Sequence, residues 1–209
     1  MVRHIVFDVD GTLLDSRQVI NEALARTGRE LTGREVPLSL AAEAFSMPSR
    51  PALRHVGVAE EDMERGLALF ERYSYGSGRV SPVFPGVWEL LEGLERAGVP
   101  MSVFSARLED EFDRDPSFPP LARFFRRLMG TRYSVNPKPA PDGLLRFLRE
   151  EGLEAGEVLM VGDSAADSLS AAGAGVAFAL AGWNGAAETD AVPHDFLLHT
   201  PEELWALLR

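Results

Sequence analysis

The chain predicts an α/β fold: a doubly wound parallel sheet interrupted after its first strand by a helical unit. Three observations predict it. Short apolar runs alternate with helical patterns through the second half of the chain, the apolar runs are hydrophobic at nearly every position, and about sixty residues after the first run read as helix alone. The organisation that follows is a core of residues 1–15 and 81–209 carrying a helical insertion of residues 16–80.

Residues 3–9 form the first strand, with Ile5, Val6, Phe7 and Val9 apolar as in a strand buried on both faces, and with Asp8 and Asp10 at its carboxyl end. Ser16 reads as a helix cap ahead of Val19, Ile20, Ala23 and Leu24, a helical stripe that stops at Gly28. Helices are expected over 39–47, 49–56 and 60–75. The Gly- and Pro-containing stretch 76–85 returns the chain to the core, and Pro85 and Gly98 bracket a helix over 86–97. Strands then fall at 100–105, 126–130, 157–161 and 176–180, with helices at 141–151 and 165–172 between them. Thr200-Pro201-Glu202-Glu203 has the capping-box pattern and opens a last helix through Leu208.

With 209 residues, 45% of them hydrophobic, the chain can bury a substantial interior. A formal net charge of -11 argues against a nucleic-acid backbone as partner, since such binding needs a basic surface. No apolar run approaches the ~18 residues that span a bilayer, and the N-terminus does not read as a signal peptide, so a soluble, cytoplasmic protein with no membrane partner is expected. The absence of cysteine leaves oxygen and imidazole as metal ligands. Oligomeric state is not legible.

The polar clusters fall where strands end, which is where ligands bind in such sheets. In Asp8-Val9-Asp10-Gly11-Thr12, two carboxylates two residues apart suit a nucleophile and a proton carrier, with Thr12 offering a hydroxyl to an oxyanion; read alone, the segment also suits an ordinary turn. Gly162-Asp163-Ser164-Ala165-Ala166-Asp167 is a second acidic turn. Its carboxylates fit a hard dication such as Mg2+, and equally a helix cap and a surface acid. Lys138, the one lysine among 21 Lys and Arg residues, stands between Pro137 and Pro139 in a stiff loop, placed to neutralise a transferring phosphoryl group. Ser105 ends a strand, and its hydroxyl together with the amides of Ser105 and Ala106 are candidate phosphate ligands.

These four pieces, in this order, resemble the signature of the haloacid dehalogenase superfamily. Residues 8–16 (DVDGTLLDS), with Lys138-Pro139-Ala140-Pro141 and Val161-Gly162-Asp163-Ser164, are similar to its phosphoglycolate-phosphatase-like branch. The resemblance implies a Rossmann-like core, a mobile helical cap over 16–80, and magnesium-dependent hydrolysis of a small phosphorylated metabolite. It makes Asp8 the nucleophile and Asp10 the general acid and base. The metal would be held by Asp8, Asp163 and the backbone carbonyl of Asp10, with Asp167 supporting the metal's waters or Lys138. Ser105, Ala106 and Lys138 would hold the phosphoryl oxygens. Arg50, in a cap segment similar to one that faces the active site in relatives, could contact an anionic substrate or simply solvate its helix. Asp10 favours attack on phosphorus over attack on carbon. A phosphomutase resembling beta-phosphoglucomutase keeps both aspartates and stays as an alternative, as does a receiver-like phosphorylated switch. The chain departs from the family pattern at Ser105-Ala106-Arg107 and in the acid- and proline-rich stretch 109–125.

Overall fold

Hydrophobic runs that are buried on two sides pair most readily with one another. In the computed structural model, which describes residues 2–76, 78–185 and 191–208, they do so as one parallel sheet. Its strands are β1 (His4–Phe7), β2 (Met101–Phe104), β3 (Leu128–Met129), β4 (Val158–Gly162), β5 (Ala177–Ala181) and β6 (Phe196–Leu198). Their order across the sheet is β3-β2-β1-β4-β5-β6. The order reverses between β1 and β4, so a crevice opens beyond their carboxyl ends. The β1–β4 register aligns Phe7 with Val161, which sets Asp8 and Asp163 near one another just past the sheet.

Side chains alternate between the two faces. Ile5, Phe7, Leu159 and Val161 enter one core beneath α5 (Val87–Arg96), while Val6, Val158 and Met160 enter a second with Leu144, Phe147 and Leu148 of α8 (Asp142–Glu151). The helix α9 (Ala165–Ala174) covers the same second face through Ala171 and Ala174.

Between β1 and the rest of the sheet lie α1 (Arg17–Thr32), α2 (Leu38–Glu43), α3 (Ser49–His55) and α4 (Met63–Ser74). They have an apolar core of their own, including Leu24, Leu53, Met63 and Phe70. Helix α1 does not stop at Gly28 but runs on to a left-handed Gly33. Gly28 is interior because a side chain there would meet the Val56 carbonyl and Val36, so it marks close packing rather than an end. Ser16 stands at the start of α1 without capping it, its hydroxyl being engaged elsewhere.

The stretch 109–125 folds into two short turns of helix, α6 (Glu111–Arg114) and α7 (Pro119–Ala122), and buries Phe112, Phe118, Leu121 and Phe124 in the first core. Strand β6 was not foreseen, because three residues whose first is partly exposed carry no alternation to read. The last segment, Pro201–Leu208, is a 3-10 helix. In the return stretch 76–85, residue 77 lies outside the described residues, as do 186–190 in the core. No helix among the described residues is long and apolar enough to cross a membrane.

Candidate active site

The turn after β1 is built around Gly11. Its φ is +82°, and a Cβ there would lie 2.2 Å from the Asp163 carboxylate, so only glycine lets the two acidic loops touch. A short helix after β5, Gly182–Asn184, ties the turn down: Trp183 donates to the Thr12 carbonyl at 3.0 Å, and Asn184 donates to the Gly11 carbonyl and to Asp163, each at 3.0 Å. Thr12, expected to offer its hydroxyl to an oxyanion, is fully buried and does not line the cavity, and its hydroxyl has no hydrogen-bond partner among the described residues.

Asp8, Asp163 and Asp167 come together, one carboxylate oxygen of each lying within 4.8 Å of the others. Lys138 is set between two of them. Its ammonium donates to Asp8 at 2.8 Å, to Asp167 at 2.5 Å and to the Phe104 carbonyl at 3.0 Å, which uses all three of its protons. Asp167 is also held by Ser164, whose amide and hydroxyl both donate to it while its own amide donates back to the Ser164 hydroxyl, a reciprocal cap on α9. On the far side, Arg17 reaches Asp163 at 3.1 Å. Burial pushes the Asp8 carboxyl up to about 7, with Asp167 and Asp10 adding to the rise against the pull of Lys138. Asp163 is pushed well above the usual range by burial and then by Asp8 and Asp167. Three crowded, desolvated carboxylates facing few cations form an all-oxygen donor set suited to a small hard dication.

Asp10 is placed differently. Both of its oxygens accept from Arg107, each at 2.7 Å, and Ser16 donates to it at 2.6 Å. Burial disfavours its charge, but Arg107 and Ser16 outweigh this and hold the carboxyl below the usual range. The third arm of Arg107 meets the buried Asp115 at 2.8 Å, and Tyr75 lies against its guanidinium. Beside it, Glu111 accepts from the Leu108 amide at 2.7 Å and from Ser49 of α3 at 3.0 Å, bridging core and helical unit. Glu111, Arg17, Trp183 and Asn184 were not singled out from sequence and are brought in by folding alone, whereas Ser16 was read only as a helix cap and Arg107 only as part of a departure from the family pattern.

These groups surround a cavity of about 40 Å³, room for a few water molecules, with Asp8, Asp10, Ser105, Ala106, Arg107, Glu111 and Lys138 on the core side and Phe45, Ser46, Met47, Ser49 and Tyr75 opposite. Ser105 offers its hydroxyl but not its amide, which extends the sheet by donating to the Met129 carbonyl at 2.9 Å. Arg50 is not brought to the cavity. It is exposed and paired with Glu64, while its neighbours Arg54 and His55 pair with Glu60 and Glu43. The helix geometry accounts for this: Ser49 and Ala52 occupy the face of α3 that lines the cavity, so Arg50 turns outward.

The sequence matches the haloacid dehalogenase-like hydrolases over residues 5–181. A phosphoglycolate phosphatase from Pseudomonas aeruginosa is 35% identical over 189 residues, an alignment that takes in 83% of this chain and 67% of that protein. The chain thus spans about two thirds of the length of that relative. Among solved structures, a predicted phosphoglycolate phosphatase from Haemophilus somnus superposes with a TM-score of 0.84 at 19% identity, covering 100% of this chain and 98% of its own. CbbY from Rhodobacter sphaeroides, solved in complex with xylulose-1,5-bisphosphate, gives 0.81 at 18% identity, covering 98% and 96%. Both share the fold. With its match over residues 5–181 and its acidic loops converging at the sheet's reversal point, the chain belongs to the haloacid dehalogenase-like hydrolases, in the branch whose curated members include phosphoglycolate phosphatases.

Proposed function

We propose that this enzyme is a magnesium-dependent phosphatase that hydrolyses a small phosphomonoester, 2-phosphoglycolate or a related metabolite, through a phosphorylated Asp8. The observation that carries the reading is the convergence of Asp8, Asp163 and Asp167 on Lys138 inside a nearly closed chamber. Hydrolysis of phosphoglycolate by the Pseudomonas relative supports the substrate class.

In this mechanism the Asp8 carboxylate attacks phosphorus and the ester oxygen leaves. Asp10 donates a proton to that oxygen and then takes one from the water that hydrolyses the phosphoaspartate. Clamped by Arg107, Asp10 rests in the ionised form that the second half requires, so for the first half it must take up a proton from solvent before passing it to the leaving oxygen. Lys138 offsets the negative charge of nucleophile and phosphoryl group, and the Ser105 hydroxyl and Ala106 border the phosphoryl oxygens. Asp8, Asp163 and the Asp10 carbonyl would hold Mg2+, Asp167 backing them through Lys138. When bound, the ion supplies positive charge that draws Asp8 into its reactive, ionised form and screens the phosphoryl oxygens.

Residues 16–80 act as a cap on a core of 1–15 and 81–209. The Arg17–Asp163, Ser49–Glu111 and Glu71–Arg114 pairs cross between them, and opening there would admit substrate to a cytoplasmic enzyme. The test is phosphate release from a panel of phosphomonoesters, with magnesium or chelator, for wild type and Asp8→Asn. Release that needs magnesium and vanishes in Asp8→Asn is expected. Release that survives the substitution overturns the mechanism, and isomerisation of a sugar phosphate without release of phosphate turns it into a mutase.

A further inference from the structure

We propose that Tyr75 is a substrate-binding residue, its phenolic hydroxyl donating to the carboxylate of an ester such as 2-phosphoglycolate on the Asp10 side of the chamber. The inference rests on the reading of the site as a phosphomonoester hydrolase and names the residue that recognises the leaving group.

Tyr75 closes the last turn of α4, where its amide donates to the Glu71 carbonyl at 2.8 Å, just before the chain turns back through 76–85. It is 8% exposed, its ring centre lies 5.6 Å from the Arg107 guanidinium carbon, and it lines the chamber on the wall opposite Asp10 and Glu111. Its hydroxyl neither gives nor takes a hydrogen bond among the described residues, and it is not sealed into protein as the Thr12 hydroxyl is. A polar group on a buried residue is normally partnered, so one left unpartnered on a cavity wall points to an acceptor that arrives from outside. Burial above all, with the acids around it, holds the phenol well above its usual range against the pull of Arg107, so the group stays a donor.

The protein's own acceptors at this end are served by other donors. Asp10 accepts from Arg107 and Ser16, and Glu111 accepts from Leu108 and Ser49. The phosphoryl group belongs to the Lys138 side, so an acceptor that reaches Tyr75 belongs to the leaving group. In 2-phosphoglycolate the oxygens beyond the ester oxygen are those of a carboxylate. Arg107 adds the positive charge such a group needs: its Nη1 meets Asp115 at 2.8 Å as an ion pair without a hydrogen bond, so donor capacity on the guanidinium is unspent. Because Tyr75 ends the helical unit, a carboxylate held there also ties that unit to the core across the bound substrate.

The experiment compares kcat/KM for 2-phosphoglycolate and for ethyl phosphate, which carries a methyl where the other has its carboxylate, in the magnesium-loaded wild type and in Tyr75→Phe. The substitution keeps the ring against Arg107 and removes the hydroxyl alone. Tyr75→Phe is expected to lose about tenfold or more on 2-phosphoglycolate, mainly through KM, to stay within about twofold on ethyl phosphate, and to melt at the wild-type temperature. A structural role would lower the melting temperature or slow both esters alike, and either result overturns the proposal, as does a variant that loses nothing. Should the variant not fold, the hydroxyl is holding the protein together and the proposal falls with it. Wild type that turns over ethyl phosphate as well as 2-phosphoglycolate sinks the inference and leaves the hydrolase reading standing, whereas release from no ester of the panel sinks both.

Discussion

The two ends of the chamber are built from the same residue types and behave in opposite ways. Around Lys138, one ammonium serves Asp8 and Asp167 while Asp163 has the partly exposed Arg17, and Asp8 and Asp163 are both held toward their neutral forms. Around Arg107, one guanidinium closes on Asp10 and Asp115 with three short contacts, and Asp10 is held ionised. The first end is an arrangement short of positive charge, ready to take more. The second pairs its charges closely, Arg107 Nη1 and Asp115 Oδ2 meeting as an ion pair without a hydrogen bond, and fixes a proton carrier in place. A flat fork suits the second task and a compact ammonium the first.

The sharpest way to break this contrast is to exchange the cations. Lys138→Arg keeps the charge but cannot fit three acceptors converging on one nitrogen, so activity should fall at least a hundredfold with the fold intact, as read from steady-state rates and circular dichroism. A loss below about tenfold would mean that charge alone matters at this end. Arg107→Gln attacks the other end and leaves two buried carboxylates without their cation, so urea denaturation should show a loss of about 3–5 kcal/mol. Arg107→Lys should recover only part of it. Stability unchanged by Arg107→Gln would show that the clamp is not closed.

How much of this was legible in the sequence follows the same division. The Lys138 end comes from residues at the carboxyl ends of β1 and β4 and the loop before α8. A parallel sheet brings strand ends together whatever the rest of the chain does, so short motifs were enough to place them. At the other end, Asp10 was placed but its partner was not. Arg107 meets Asp10 across 97 residues and Asp115 lies in a stretch without hydrophobic periodicity, so no local pattern announced either contact. Gly28 misled for a related reason: a helix-ending residue and a close-packing residue look alike until the neighbour is known. Arg50 was left between a substrate contact and a solvated helix face, and only the packed helix shows which: Ser49 and Ala52 take the inward face and Arg50 pairs with Glu64 outside.

The charge deficit can be measured through its pH dependence. An unfolded aspartate titrates near 3.8, and Asp8 in the fold near 7. A raised acid favours folding while it stays protonated, so this contribution is present below about pH 4 and is lost as pH rises through 7. Asp10 works in the opposite sense: its depressed carboxyl contributes above pH 3.8, and that contribution disappears as pH falls through its folded value. In chelator, wild type should therefore lose stability relative to Asp8→Asn between pH 4 and 7, by up to about 1.4 kcal/mol per pH unit. Magnesium should restore it at pH 8 more than at pH 5. Parallel stability curves for the two proteins in chelator would remove the charge deficit from the account.

The smallest expected effect separates two readings of one residue. Ser16 has the type and position of a helix cap, yet α1 takes no side-chain bond from it, and its hydroxyl spends its proton on Asp10 at 2.6 Å. If that bond is its role, Ser16→Ala should lower kcat several-fold with KM little changed, because Asp10 loses one of the groups that fix its orientation, while stability falls by only about 1 kcal/mol. Arg107 still holds both Asp10 oxygens, which is why the effect is modest. A variant that loses stability but keeps full kcat would make Ser16 an ordinary cap after all and leave Arg107 alone in charge of Asp10.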